Sequence, residues 1–151
     1  MKIEDVIIAS KAIEDKYHRA YLNIIYSGIW LEQESLEPLK QFGLTHPQYN
    51  VMRITNGAKE PISIASIQQR MLFKASNVTR ILARLLEKGF VVKKTCTIDR
   101  RVSYVGMTKE GVEVLTAIHD QIYNKVKELI GKNLSSEEAI VLGNLLYKMR
   151  D

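Results

Sequence analysis

The stretch from Ser76 to Gly89, SNVTRILARLLEKG, most constrains the fold of this chain. Val78, Ile81, Leu82 and Leu85 follow the i, i+3, i+4, i+7 spacing of a helix that buries one stripe. Asn77, Arg80 and Arg84 recur at i, i+3, i+7 and occupy another face. Gly89 stops the helix, because glycine enters the left-handed backbone region without steric cost.

The flanks define what this helix sits among. Upstream, Ser63 can cap a short helix carrying Ile64, Ile67 and Met71, and Leu72 to Ala75 form a short link. Downstream, Phe90–Lys94 and Val102–Met107 are rich in β-formers. The connection 95–101 is polar apart from Cys96 and Ile98, which predicts a hairpin. Thr45-His46-Pro47-Gln48 fits a capping box for a helix to about Asn56, ended by Gly57 and Pro61.

Longer helices are expected at both ends. Residues from about 10 to 36 contain no proline, one glycine and many large apolar residues, so they read as a helix packed on two sides. Pro38 and Gly43 punctuate its end. Thr108 caps a helix to about Ile130. Ser135-Ser136-Glu137-Glu138 is a second capping box, opening a last helix with Leu142, Leu145, Leu146 and Met149 on one face. The expected fold is mainly α with a small β-hairpin wing.

Charge is segregated along this order. Residues 1–62 hold seven basic against eight acidic side chains, and residues 112–151 hold five against six. Residues 63–111 hold ten basic residues against Glu87, Asp99 and Glu110, a local net charge of +7 in a chain of net +5. Helix, short link, helix and hairpin inside such a segment form a winged helix-turn-helix, and a concentrated basic surface suits double-stranded DNA. Arginine can contact guanine bidentately and asparagine adenine, so Asn77, Arg80 and Arg84 are base-reading candidates. Ser76 and Thr79 lie near the helix start, where hydroxyls reach phosphates or single base atoms. Lys93, Lys94, Arg100 and Arg101 supply the wing, whose arginines can enter a minor groove. Asp99 either braces a neighbouring arginine or serves as a turn residue. The competing reading is a winged-helix protein-interaction module that applies this basic face to an acidic partner.

Several classes are excluded. A length of 151 residues suits one domain with its own core, and a single cysteine excludes an intrachain disulfide framework. The start MKIEDVIIA carries Glu4 and Asp5 before a short apolar run, unlike a secretory signal, and no run approaches the roughly 18 apolar residues of a membrane span. A cytoplasmic protein without membrane contact is expected. No Gly-x-Ser-x-Gly, phosphate loop or Ser/His/Asp grouping indicates an enzyme. His18, His46 and His119 show no metal-ligand spacing, and no cofactor is implied.

The sequence resembles the MarR family of bacterial transcriptional regulators. The matching residues are Ala75-Ser76-Asn77-Val78-Thr79-Arg80, Leu85-Leu86-Glu87-Lys88-Gly89-Phe90-Val91, Asp99-Arg100-Arg101 and Met107-Thr108-Lys109-Glu110-Gly111. They correspond to a Ser/Thr-rich helix start, a Leu-Glu-x-x-Gly helix end, an Asp-x-Arg wing and a Leu-Thr-x-x-Gly strand exit. Met107 replaces the usual leucine, Lys93 and Lys94 stand where an arginine is frequent, and Ala83 where an acid is frequent.

The resemblance implies a homodimeric regulator, most simply a repressor, reading a pseudo-palindromic site. Residues 1–36 and 109–151 would supply dimerisation helices around a winged domain at 37–108. Val112, Leu115, His119, Ile122, Val126 and Leu129 are spaced 3, 4, 3, 4, 3, as in a coiled-coil seam. With Leu142, Leu145 and Leu146 they form the expected dimer interface. The resemblance further implies release from DNA by a small phenolic or other aromatic anion. Tyr21, Tyr26, Trp30, His46 and Tyr49 are candidate pocket residues, though such aromatics also serve as plain core, and Arg53 is a candidate carboxylate partner. His119 is either a satisfied interface residue or a ligand contact. Cys96, in the hairpin, is either a small structural residue or a thiol activated by nearby cations.

Overall fold

The computed structural model describes residues 13–72, 77–95 and 102–151. Ser76, Cys96, Asp99, Arg100 and Arg101 lie outside the described residues. The elements are α1 (Lys16–Ser35), α2 (Pro38–Gln41), α3 (His46–Gly57), β1 (Ile62–Ser63), α4 (Ile64–Arg70), α5 (Val78–Glu87), β2 (Val91–Thr95), β3 (Ser103–Met107), α6 (Lys109–Gly131) and α7 (Ser136–Lys148). They group into two compact units. One is residues 36–124, and the other joins 125–151 to the described residues up to Ser35.

The 36–124 unit is built on the expected stripe. Val78, Leu82 and Leu85 of α5 are buried, with Ile81 packed against the same core. They meet Val51 and Met52 of α3, Ile67 of α4, Met71, Phe90, Val91 and Val105. The α3 capping box forms as read. Thr45 Oγ1 accepts from the Gln48 N–H at 3.4 Å, and Gln48 Oε1 accepts from the Thr45 N–H at 2.8 Å. Ser63 caps α4, its Oγ accepting from the Ser66 N–H at 3.1 Å.

Three features depart from expectation. The hairpin is part of a three-stranded antiparallel sheet of order β1-β3-β2, with Ile62 opposite Val105 and Ser63 opposite Tyr104. A one-turn helix, α2, follows α1, because Pro38 suits a first helical turn and Gly43, at φ +58°, closes it. The left-handed residue after α3 is Lys59, at φ +62°, rather than Gly57, which remains helical.

The unit boundary also differs from the expected break at 108/109. Residues 109–124 of α6 belong to the winged unit, because Leu115 and Ile118 are buried in its core. Leu115 was expected on the pairing seam. It is 6% exposed within a single chain and so serves the unit's own core.

The second unit contains α1, residues 125–131 of α6, and α7. Helix α1 begins at Lys16 rather than near residue 10, since Asp15 Oδ1 accepts from the His18 N–H at 2.5 Å and caps it. The capping box of α7 forms as read, with Ser135 Oγ 3.2 Å from the Glu138 nitrogen. The Glu137 carboxyl lies below its usual pKa because its own backbone N–H and the Ser135 hydroxyl donate to it. Tyr17, Ile25 and Ile29 on α1 and Ile140, Leu142 and Leu145 on α7 are exposed. Exposed large apolar side chains in this number suit an interaction face. Among the described residues, no helix is long and apolar enough to cross a membrane.

Candidate nucleic-acid interface

Leu72, just after α4, is tied to α3. The Leu72 N–H donates to Oδ1 of buried Asn50 at 3.1 Å. This contact spans 22 residues and was not read from the sequence. It satisfies a polar side chain inside the core and holds the residue that follows α4 and Met71.

Asn77 is the N-cap of α5 rather than a residue of its first turn. Its Oδ1 accepts from the Arg80 N–H at 3.0 Å. The side chain expected to read adenine therefore has one acceptor position engaged in capping. Thr79, Arg80, Ala83 and Arg84 are exposed on the face opposite the buried stripe.

The two arginines differ in freedom. Arg84 Nη1 donates to Glu87 Oε2 at 2.9 Å, an i, i+3 pair between well-exposed side chains. Such a pair contributes at most a few tenths of a kcal/mol, about 0.3–0.5, but it orients the guanidinium along the helix. Where Ala83 removes one form of internal bracing, Glu87 supplies another. The Arg80 guanidinium has no partner among the described residues, so both donor edges remain available.

The far end of α5 is fixed by Gly89 at φ +73°, with the Phe90 N–H donating to the Leu85 carbonyl at 3.0 Å. Strand β2 follows at once. Lys93 stands opposite Val105 and Lys94 opposite Tyr104. Successive strand residues alternate faces, so the two lysines, grouped together in the wing, project from opposite sides of the sheet. Lys94 shares its face with Val92, Tyr104 and Gly106 and lines a cavity there.

The effector candidates divide between the units. Tyr49 and Arg53 on α3 line a cavity of about 250 Å³ with Asn56, Leu115, Thr116 and His119. The Arg53 guanidinium carbon lies 5.8 Å from the Tyr49 ring centroid, within cation–π range. Burial raises the Tyr49 pKa and Arg53 opposes the rise, so the phenol stays protonated at neutral pH. His119 is exposed within a single chain, with its ring 6.5 Å from that of Tyr123. His46 begins α3 and does not line this cavity. Tyr21, Tyr26 and Trp30 belong to α1 in the other unit and are exposed there.

The model of the MarR family matches residues 44–103, which run from just before α3 into the start of β3. The transcriptional regulator HosA of Escherichia coli is 33% identical over 106 residues, covering 70% of this chain and 77% of HosA. A crystal structure of a mutant MarR from Escherichia coli, complexed with operator DNA, superposes with a TM-score of 0.75 at 22% identity. It covers 90% of this chain and 99% of that one. The organohalide-sensing regulator RdhR, bound to 2,4-dichlorophenol, superposes with a TM-score of 0.78 at 16% identity, covering 95% and 86%. At these identities the two structures establish the shared fold.

Proposed function

The chain belongs to the MarR family of transcriptional regulators, and from that premise we propose that it binds a pseudo-palindromic operator as a homodimer and represses from it. The observation that carries this reading is the exposed face of α5. Arg80 is presented with no partner among the described residues, beside a capped helix start and an oriented Arg84. A helix N-terminus of this kind favours phosphate, and an arginine in its first turn is within reach of base edges.

The exposed apolar faces of α1 and α7 support pairing, since a lone arm leaves them in water. Two copies would set two α5 helices about one DNA turn, roughly 34 Å, apart. Leu142, Leu145 and Leu146, together with His119, Ile122, Val126 and Leu129 of α6, remain the proposed interface, without Leu115. A dimer covering adjacent turns excludes other proteins from that DNA, which is the simplest form of repression.

The Tyr49–Arg53 cavity supports regulation by a small aromatic anion. Arg53 offers a carboxylate partner, Leu115 an apolar wall and His119 a polar rim. The complex of RdhR with 2,4-dichlorophenol shows that a protein of this fold takes a phenol.

Selection of duplex DNA from a random pool by the purified protein tests the reading. Enrichment of a two-fold symmetric motif bound by two copies is expected. Enrichment of no motif would overturn it.

A further inference from the structure

Arg80, Arg84 and Glu87 follow i, i+4, i+7 along the exposed face of α5, so they form one row on the helix. Glu87 is the only acid in α5, and it stands inside the segment that carries ten basic residues against three acids. Its Oε2 accepts from Arg84 Nη1 at 2.9 Å, with the two side chains 62% and 66% exposed.

Helix stability does not explain this acid. Glu87 is the last residue of α5, where the helix dipole favours a cation. The pair also runs Arg then Glu along the chain, the reverse of the order that best suits the dipole. Raw attraction to DNA does not explain it either, since a carboxylate on that face repels phosphates and weakens binding to any duplex. What the contact determines is the state of Arg84. Nη1 is engaged, and among the described residues the Nε–Nη2 edge is left open as a two-donor fork.

We propose that Glu87 is a positioning residue for DNA discrimination and acts through Arg84. Paired, Arg84 carries little net charge toward a bare phosphate and offers one oriented fork, which suits the O6 and N7 acceptors of guanine. Unpaired, the same side chain is a free cation that any phosphate satisfies. Glu87 therefore lowers affinity for all DNA and widens the gap between a matched and a mismatched site. This role rests on base reading by the exposed face of α5, and adds to it the residue that suppresses non-specific contact.

Fluorescence anisotropy of the full-length protein on the selected duplex and on a scrambled duplex, over a range of salt, tests this. Glu87→Gln keeps the side-chain shape at an exposed position, so thermal unfolding should match wild type. Binding to the scrambled duplex should tighten about two- to threefold. Its slope of log affinity against log salt should steepen by about 0.9, the effect of one added phosphate contact. The selected duplex should gain less, so the ratio of the two affinities falls. Glu87→Asp, which keeps the carboxylate within reach of Arg84, should hold the wild-type ratio. In an Arg84→Ala background, Glu87→Gln should leave the ratio unchanged, because only a bare charge is then removed. A ratio that survives Glu87→Gln in a chain whose wild type discriminates, or one that falls equally without Arg84, would overturn this role and leave base reading standing. A wild-type chain that binds both duplexes equally would overturn both.

Discussion

The Thr108 hydroxyl donates a 2.7 Å hydrogen bond to the Gly89 carbonyl, tying the end of α5 to the start of α6. The same oxygen accepts from the Gly111 N–H at 2.9 Å, and the Thr108 N–H donates to the Phe90 carbonyl at 3.1 Å. One residue thus caps α6 and anchors the end of α5. This gives a physical reason for threonine and glycine at the strand exit. Thr108→Val should cost about 1 kcal/mol, as loss of a helix cap implies. Thr108→Ser, which keeps the hydroxyl, should stay within about 0.5 kcal/mol. Urea unfolding measures both, and equal losses would contradict the hydroxyl's role.

Gly111 is required for a different reason. A Cβ placed there would meet the Phe90 carbonyl oxygen at 2.0 Å. Backbone cannot yield cheaply, so Gly111→Ala should cost at least about 3 kcal/mol. Gly131, near the end of the same helix, has nothing within 4 Å of such a Cβ. Gly131→Ala should be neutral or stabilising, by up to about 1 kcal/mol. Thermal denaturation of the two variants separates backbone crowding from helix propensity.

Asn50→Ala removes the acceptor for the Leu72 N–H. Loss of this part-buried hydrogen bond should cost about 0.5–1.5 kcal/mol. Amide hydrogen exchange at Leu72 should accelerate more than at Met52, which lies in the same core. Uniform acceleration would show that Asn50 does not act on Leu72 specifically.

Alkaline stability should depend on Tyr49. Burial raises its pKa above 10.0 in the folded chain, with Arg53 pulling the other way. The unfolded chain therefore loses the phenolic proton first. Stability from this group is full below pH about 10 and is lost as pH rises through the folded value. Tyr49→Phe should flatten the decline in unfolding midpoint between pH about 9 and 11, and Arg53→Leu should steepen it. Identical profiles for wild type and Tyr49→Phe would contradict the assignment.

Local signals were the legible part of this chain. The caps at Thr45, Ser63 and Ser135 and the stop at Gly89 act within one helical turn, so their residues stand next to one another in the sequence. The α5 stripe is also short-range, and Val78, Leu82 and Leu85 are buried at the spacing the sequence shows. Strand β1 has two residues, too few for any period, and exists because β3 offers it a partner. Asn50 and Leu72 meet only through the packing of α3 against α4.

The candidate site was legible in its residue types and less so in its geometry. Periodicity placed Leu115 on an apolar stripe of α6 but could not say whether that stripe faces its own unit or another copy. Adjacent Lys93 and Lys94 look like one cationic patch until β2 sends them to opposite faces. Asn77, Arg80 and Arg84 share a spacing, yet capping engages the first and Glu87 the third.

Arg80 therefore carries the central claim. Fluorescence anisotropy should compare wild type and Arg80→Ala on the selected duplex and on a scrambled duplex of equal length, at fixed salt. Loss of a bidentate base contact should cost about 1–3 kcal/mol on the selected duplex and much less on the scrambled one. An equal loss on both would show that Arg80 contacts only phosphate, and would contradict base reading by this face of α5.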